Sequence, residues 1–343
     1  MTPDPLRRLT AAASGCAVVL VLSTLACGPD TDPLGPDPGP EEGFVVIEGD
    51  PNFATNSVSW TGSAIGTDRF SFISVALEAS TNGPSHFLYE APFHQRGCLD
   101  ARCFPSAEQV FVLPGLSIEN LDLSPAGNVA AFDGRRNSDS NFWIHIYDGS
   151  GEPPAYYLGV EPTFLPDGSA VLYVSSGRDE LIRLDPSNSN TLVEIYGLTG
   201  AAHPRVSPDG QHTAYSAIDV MRNSRRVWVH DRTDPGLFAD PISLPDQIPG
   251  GGPGDGISDD YPAWSPSGRY VAYRGKLRTN IFSDAIFITE PAREPEQPIR
   301  IADVTPGREM TYLRWHPNGS LLLLILDGDV YSLVVPERYR DMP

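Results

Sequence analysis

Three groups of side chains have the types and spacing to do chemistry. The stretch GGGPGDGISDDYP (250–262) sets Asp255, Asp259 and Asp260 on a glycine-rich backbone. Carboxylates on such a loop can coordinate Ca²⁺, though the spacing is not that of an EF-hand and a solvated acidic loop accounts for the same residues. Cys98 and Cys103 stand five apart in HQRGCLDARCF; in an oxidising compartment such a pair forms a local disulfide. His94 could join them as a metal ligand, but no fourth donor follows nearby. The third group is cationic: Arg222, Arg225, Arg226, Arg274, Lys276 and Arg278 fall in two short segments of an otherwise acidic chain.

Motifs that carry catalysis are missing. The sequence has no G-x-S-x-G elbow, no H-E-x-x-H, no P-loop and no dinucleotide fingerprint. Its seven histidines (86, 94, 145, 203, 212, 230, 316) are scattered. A lone buried histidine is more often a satisfied polar residue than a ligand.

The elements that must position these groups are short and turn-rich. Gly (32) and Pro (34) together approach a fifth of the 343 residues, which suits many strands joined by turns and not long helices. Asp and Glu total 44 against 24 Lys and Arg, for a net charge of −20, and Lys276 is the single lysine. A body this acidic repels phosphate backbones, which argues against nucleic acid as a partner.

The first 26 residues read as an export signal. Arg7 and Arg8 precede an uncharged run from Leu9 to Ala26, and LSTLAC places Ala26 directly before Cys27. This ending resembles the lipobox of bacterial lipoproteins, with Thr24 where the pattern prefers Leu. The resemblance implies a lipid on Cys27, attachment to the membrane through that anchor alone, and, with Gly28 in the second mature position, the outer membrane. Residues 27–43 then form a Pro/Gly/acidic tether too poor in apolar side chains to fold. The folded domain is expected over residues 44–343.

Within that domain one pattern repeats. LDLSPAGNVAAF, PTFLPDGSAVLY, PRVSPDGQHTAY, PAWSPSGRYVAY and LRWHPNGSLLLL each join two strands through a proline–glycine turn. The prolines are Pro125, Pro166, Pro208, Pro266 and Pro317, at intervals of 41, 42, 58 and 51; the glycines are Gly127, Gly168, Gly210, Gly268 and Gly319, with Asp167 and Asp209 between them in two repeats. Proline presets φ in the turn and glycine reverses the chain. Third strands follow in FWIHIYD, ELIRLD, RVWVHD, DAIFIT and DVYSLVV, and fourth strands in AYYLGV, LVEIYGL and PIRIADV. Four strands per repeat of this length is the pattern of a propeller blade.

The segments PRVSPDGQHTAYSA and YPAWSPSGRYVAYRG resemble the WD-like repeats of TolB-type β-propellers over roughly residues 115–335. SVSWTG, FSFISVALEA, SHFLYEA and QVFVLPG supply one more repeat. The expected architecture is therefore all-β, a six-bladed propeller of four-stranded blades, its last blade completed by the N-terminal strand FVVIEG (Phe44–Gly49). Such closure leaves no open edge. The resemblance implies a monomeric, non-enzymatic scaffold that binds an envelope protein or peptide. The cationic segments fall in loops joining second to third strands, which share one face, so they are the candidate partner-facing rim. The alternative is an envelope hydrolase or lyase with a metal or carboxylate site in the channel. That alternative needs His, Asp or Glu side chains from different blades to converge, and no such residue is evident at matched positions.

Overall fold

A computed structural model describes strand backbones over residues 44–341 and, from Ser117 onward, side chains. Outside the described residues lie 1–43, 48–52, 61–68, 77–85, 93–107, 114–115, 137–138, 149–154, 222, 234–239, 243–258, 278–282, 293–297, 305–307, 328 and 342–343. The signal segment, Cys27, the tether, Cys98, Cys103, Asp255, Arg222 and Arg278 are among them, and so is the side chain of Lys276.

The remaining chain is a succession of antiparallel strands. After β1 (Phe44–Ile47) come β2 (Phe53–Trp60), β3 (Arg69–Ala76), β4 (His86–Pro92) and β5 (Glu108–Leu113), paired in that order as one sheet. The second unit is β6 (Leu116–Leu123), β7 (Ala130–Arg136), β8 (Trp143–Tyr147) and the start of β9 (Ala155–Phe164). β9 is longer than the sequence pattern implies. Its residues 155–158 pair with β8, and its residues 159–164 pair with β10 (Val171–Ser175), so one strand ends the second unit and begins the third. β11 (Glu180–Asp185) and β12 (Asn190–Tyr196) finish that unit.

The fourth unit is β13 (Ala202–Val206), β14 (His212–Asp219), β15 (Ser224–Asp231) and the two-residue β16 (Asp240–Pro241). The fifth is β17 (Asp259–Trp264), β18 (Val271–Leu277), β19 (Ser283–Thr289) and β20 (Ile299–Asp303). The last is β21 (Met310–Trp315), β22 (Leu321–Leu326) and β23 (Asp329–Val334), and its fourth strand is β1, with Phe44 opposite Ser332. The first strands touch in cyclic order: β2 to β6, β6 to β9, then β13, β17, β21 and back to β2. They surround a common axis.

Each junction of first and second strands is built alike. In Ser124-Pro125-Ala126-Gly127 the glycine N–H donates to the serine carbonyl at 2.7 Å, and the same bond recurs at Gly168, Gly210, Gly268 and Gly319. These glycines have φ between 70° and 78°, the left-handed step that follows a type I turn in such hairpins. Where serine opens the turn its hydroxyl accepts the N–H five residues on, as in Val129 to Ser124, His212 to Ser207 and Tyr270 to Ser265. His316 takes the serine's place in the last unit, and its Nδ1 accepts the Asn318 N–H at 3.0 Å.

Among the described residues, second strands are mostly buried on both faces because a neighbouring sheet covers each. All six residues of β22, LLLLIL, are buried, a continuous apolar run of the kind doubly covered strands show. Along β10 the alternation is visible directly. Val171 and Tyr173 pack with Ile144 and Ile146 of the second unit, and Leu172 and Val174 pack with Tyr215 and Ala217 of the fourth. The outermost β12 carries five exposed residues of seven.

The residues after β23 cover two of the turns. A 3₁₀ turn, Glu337–Tyr339, sets Tyr339 edge-on to Tyr270 at 5.9 Å. Asp341 then accepts the Ser267 N–H at 3.0 Å and donates its own to the Gly319 carbonyl at 3.1 Å. A Cβ on Gly319 would lie 1.6 Å from the Asp341 carbonyl oxygen, whereas a Cβ on Gly210 would meet nothing within 4 Å. Gly210→Ala is therefore expected to cost only the left-handed conformation, about 1–2 kcal/mol. Gly319→Ala should cost at least about 2 kcal/mol more by displacing the terminal segment. Urea titrations of the two variants measure the difference, and equal midpoints would remove the role given to Asp341.

Candidate functional site

The sheets aim side chains at the axis through a repeated irregularity. In β9, Glu161 and Pro162 lie together opposite Tyr173; in β13, His203 and Pro204 lie opposite Tyr215; in β17, Tyr261 and Pro262 lie opposite Tyr273. Glu119 and Asn120 of β6 lie likewise opposite Asp133. Two residues against one is a β-bulge, a place where proline's missing N–H does no harm. Glu161, His203 and Tyr261 have φ of 58°, 52° and 52°, uncommon for residues other than glycine. Three adjacent blades thus use one backbone device to present three different side chains.

These side chains meet. Glu161 Oε1 takes Arg178 Nη1 at 2.9 Å, and its Oε2 accepts the His203 backbone N–H and sits 3.4 Å from His203 Nδ1. The other ring nitrogen, Nε2, is 3.4 Å from Asp260 Oδ1. Asp260 also accepts from the Ser216 hydroxyl and the Tyr261 N–H, while Arg225 Nε and Arg274 Nη2 each lie 3.8 Å from its Oδ2. The His203 ring lies 4.1 Å from that of Tyr261, and the Arg274 guanidinium stands 4.8 Å above the same ring. Burial pushes the Asp260 carboxyl up, but His203, Arg225 and Arg274 together outweigh it and hold it below its ordinary value.

Asp133 pins the bulges on one side of the cluster. It accepts the N–H groups of Glu119 (3.3 Å), Asn120 (2.8 Å) and Glu161 (2.7 Å) and the Asn120 side-chain amide (2.8 Å). It is completely buried, and desolvation raises it to about 7 against the pull of these donors.

The residues singled out from sequence fall differently from their expected places. Asp259 and Asp260 are buried members of β17 and not loop ligands, and Asp260 is committed to cations. Of the candidate Ca²⁺ ligands Asp255 lies outside the described residues, and Asp260 already has Arg225 and Arg274 as partners. Arg225 and Arg274 share Asp260, Arg274 lies 3.9 Å from Asp284, and the buried Arg226 faces Asp219 at 3.7 Å. Within the described residues these three arginines are neutralised inside the fold. Lys276 stands opposite Asp284 in the β18–β19 register. The expectation that no histidine or carboxylate recurs at matched positions is corrected by Glu161 and His203. A signal for them was present: Pro162, Pro204 and Pro262 each precede a turn proline by four residues, marking the bulge and the residue before it.

No protein-family model matches the chain, and no curated protein does. Solved structures do. A putative TolB from Agrobacterium tumefaciens aligns with a TM-score of 0.57 at 15% identity over 85% of this chain and 96% of that one. The fold is a TolB-like β-propeller. TolB from Acinetobacter baumannii aligns with a TM-score of 0.50 at 18% identity over 71% of this chain, which spans 55% of that protein. Oligogalacturonate lyase from Vibrio parahaemolyticus shares the propeller at 12% identity and a TM-score of 0.51, over 85% of this chain and 93% of that one.

Another oligogalacturonate lyase is known in complex with manganese (TM-score 0.50, 14% identity, 80% of this chain and 72% of that one). His203 has one carboxylate opposite each ring nitrogen, so the three groups face one another and share no common point. Among the described residues no group of three or more His, Cys, Asp or Glu side chains could hold a metal. The cluster does not fit manganese.

Because Asp133 is raised in the folded protein, its proton stabilises the fold at low pH. That contribution is complete below the unfolded carboxylate pKa near 4 and is lost as pH climbs through about 7. Burial raises Glu119 as well, in the same direction. The urea midpoint of the wild type is expected to fall between pH 4 and 7. Asp133→Asn should lower stability by about 1–3 kcal/mol through a misplaced donor and should flatten most of that slope. A variant with the wild-type slope would assign it elsewhere.

Proposed function

We propose that this chain is a lipid-anchored envelope propeller, held through Cys27, that acts as a non-enzymatic scaffold for an envelope protein or peptide. The observation that carries this reading is the mutual satisfaction of the axial cluster. Each acid in it already has its cations, and both His203 nitrogens face acids. A general base needs a face turned to substrate, and here the titratable groups face one another. Recognition would then fall to the rigid rim. The tip of the β14–β15 hairpin, on the same end as the cluster, carries Val220 at 70% and Met221 at 92% exposure. Arg222 is next in the chain. The signal-like residues 1–26 and the LSTLAC ending support an envelope address.

A second reading rests on the convergence of Glu161, His203 and Asp260 from three blades. That is the arrangement a hydrolase or lyase in the channel would require, and lyases share this fold.

One experiment separates the two. The full chain, tethered and incubated with detergent-solubilised envelopes, is expected to retain a protein or peptide that rebinds in purified form. Val220→Asp with Met221→Asp should weaken rebinding at least tenfold with an unchanged melting temperature. Oligogalacturonate incubated with the same preparation should stay intact. Cleavage that disappears in His203→Gln would overturn the scaffold reading, and failure to retain any partner would also count against it.

A further inference from the structure

Nearer the proline–glycine turns, the inner strands and the turns themselves line a separate, open cavity of about 330 Å³. Five blades line it, and its wall includes Asp122, Thr163, Arg205, Trp264, Arg314 and Trp315. The volume lies at the small end of the roughly 300–1,000 Å³ typical of ligand pockets.

The charges in this wall do not balance. Arg314 Nη2 holds Asp122 Oδ1 at 2.7 Å, and Asp122 Oδ2 accepts the Thr163 hydroxyl at 2.9 Å and the Phe164 N–H at 2.8 Å. Asp122 is thus committed to Arg314. Arg205 has no such counterpart. It is only 7% exposed; Nη1 donates to the Pro204 carbonyl at 2.7 Å and Nη2 to the Tyr312 hydroxyl at 3.2 Å. Its Nε has no acceptor, and among the described residues no carboxylate forms an ion pair with it. Both guanidiniums stand over the Tyr312 ring, at 5.5 and 5.7 Å from its centre. Trp315 Nε1 is a second buried donor without an acceptor, whereas Trp264 Nε1 is satisfied by the Arg205 carbonyl.

Asp122 and Glu161 act on Arg205 only from beyond ion-pair distance, and a buried cation without a direct partner is costly, so proteins seldom retain one without a use for it. Guanidinium groups match planar carboxylates through paired N–H donors. We infer that this axial cavity binds a carboxylate, held by Arg205 and Arg314 against an apolar wall that includes Trp264 and Trp315. The inference does not depend on the scaffold reading, because the site is defined by its own unpaired charge. The carboxylate could belong to a free small acid or to the C-terminus of a peptide that reaches into the mouth of the cavity.

Trp264 and Trp315 make binding visible in the intrinsic fluorescence of the full chain. Titration with acetate, with galacturonate and with a tripeptide bearing a free C-terminus is expected to give a saturable change with at least one of them. Chloride at equal ionic strength and the amidated tripeptide should give none. Saturation by a free acid identifies a small-molecule site, and saturation by the tripeptide alone identifies a chain-end site. Arg205→Met should fold as well as wild type, since it removes a buried unpaired charge, and should weaken binding by at least about tenfold. Arg205→Lys, which keeps the charge and loses the fork, should fall between them. No saturable change with any carboxylate, or equal affinity in wild type and Arg205→Met, would overturn the inference.

Discussion

A carboxylate buried at the centre of a protein stays ionised only if cations surround it, and Asp260 is the case on which this propeller depends. Its neighbours come from different blades: Ser216 and Arg225 from the fourth, along with His203, and Arg274 from its own. Arg274 carries the linkage onward by donating to the Met310 carbonyl of the sixth blade at 2.7 Å. Arg178 and Glu161 extend it back to the third. Hydrophobic contact between sheets is non-directional and would tolerate small rotations. The axial charges do not, because breaking one buried pair leaves its partner unpaired at a cost of about 3–5 kcal/mol. The apolar interfaces hold the blades together, and the polar axis fixes how they are turned.

The two ends of the inner strands solve the same electrostatic problem differently. Around Asp260 every charge has a counterpart. Around Arg205 one does not, and burial together with the nearby Arg314 lowers its affinity for its proton. The contrast lies within one strand, since His203 and Arg205 are two residues apart on β13. The bulge formed by His203 and Pro204 lets His203 and Arg205 both contribute to the axial region despite the local shift in register.

Much of the fold was legible because it is encoded locally. Pro125-Ala126-Gly127 and its counterparts specify a turn from three adjacent residues, and runs such as Leu321–Leu326 announce a strand covered on both sides. The pairing of Phe44–Ile47 with β23 was readable from an unpaired apolar segment before the first repeat. The axial site was not legible in the same way. Arg225, Arg226 and Arg274 read as a cationic rim in the sequence, because Asp260 and Asp284, which face Arg225 and Arg274, lie on strands outside those loops. Asp260 lies in a stretch that reads as an acidic loop, and His203 is one of seven scattered histidines. Their meeting depends on bulges and on the closing of the ring, neither of which hydrophobic periodicity reports.

The bulge before each inner-strand proline has an implication for how such a protein can change. The first bulge residue makes no demand on the ladder, and glutamate, histidine and tyrosine occupy it in successive blades with nearly the same backbone angles. Pairing on either side continues unaltered. The lining of the axis is therefore written in an alphabet separate from the one that specifies the sheets. Substitution at these positions can change the contents of the channel one blade at a time while the sheets that hold them stay the same.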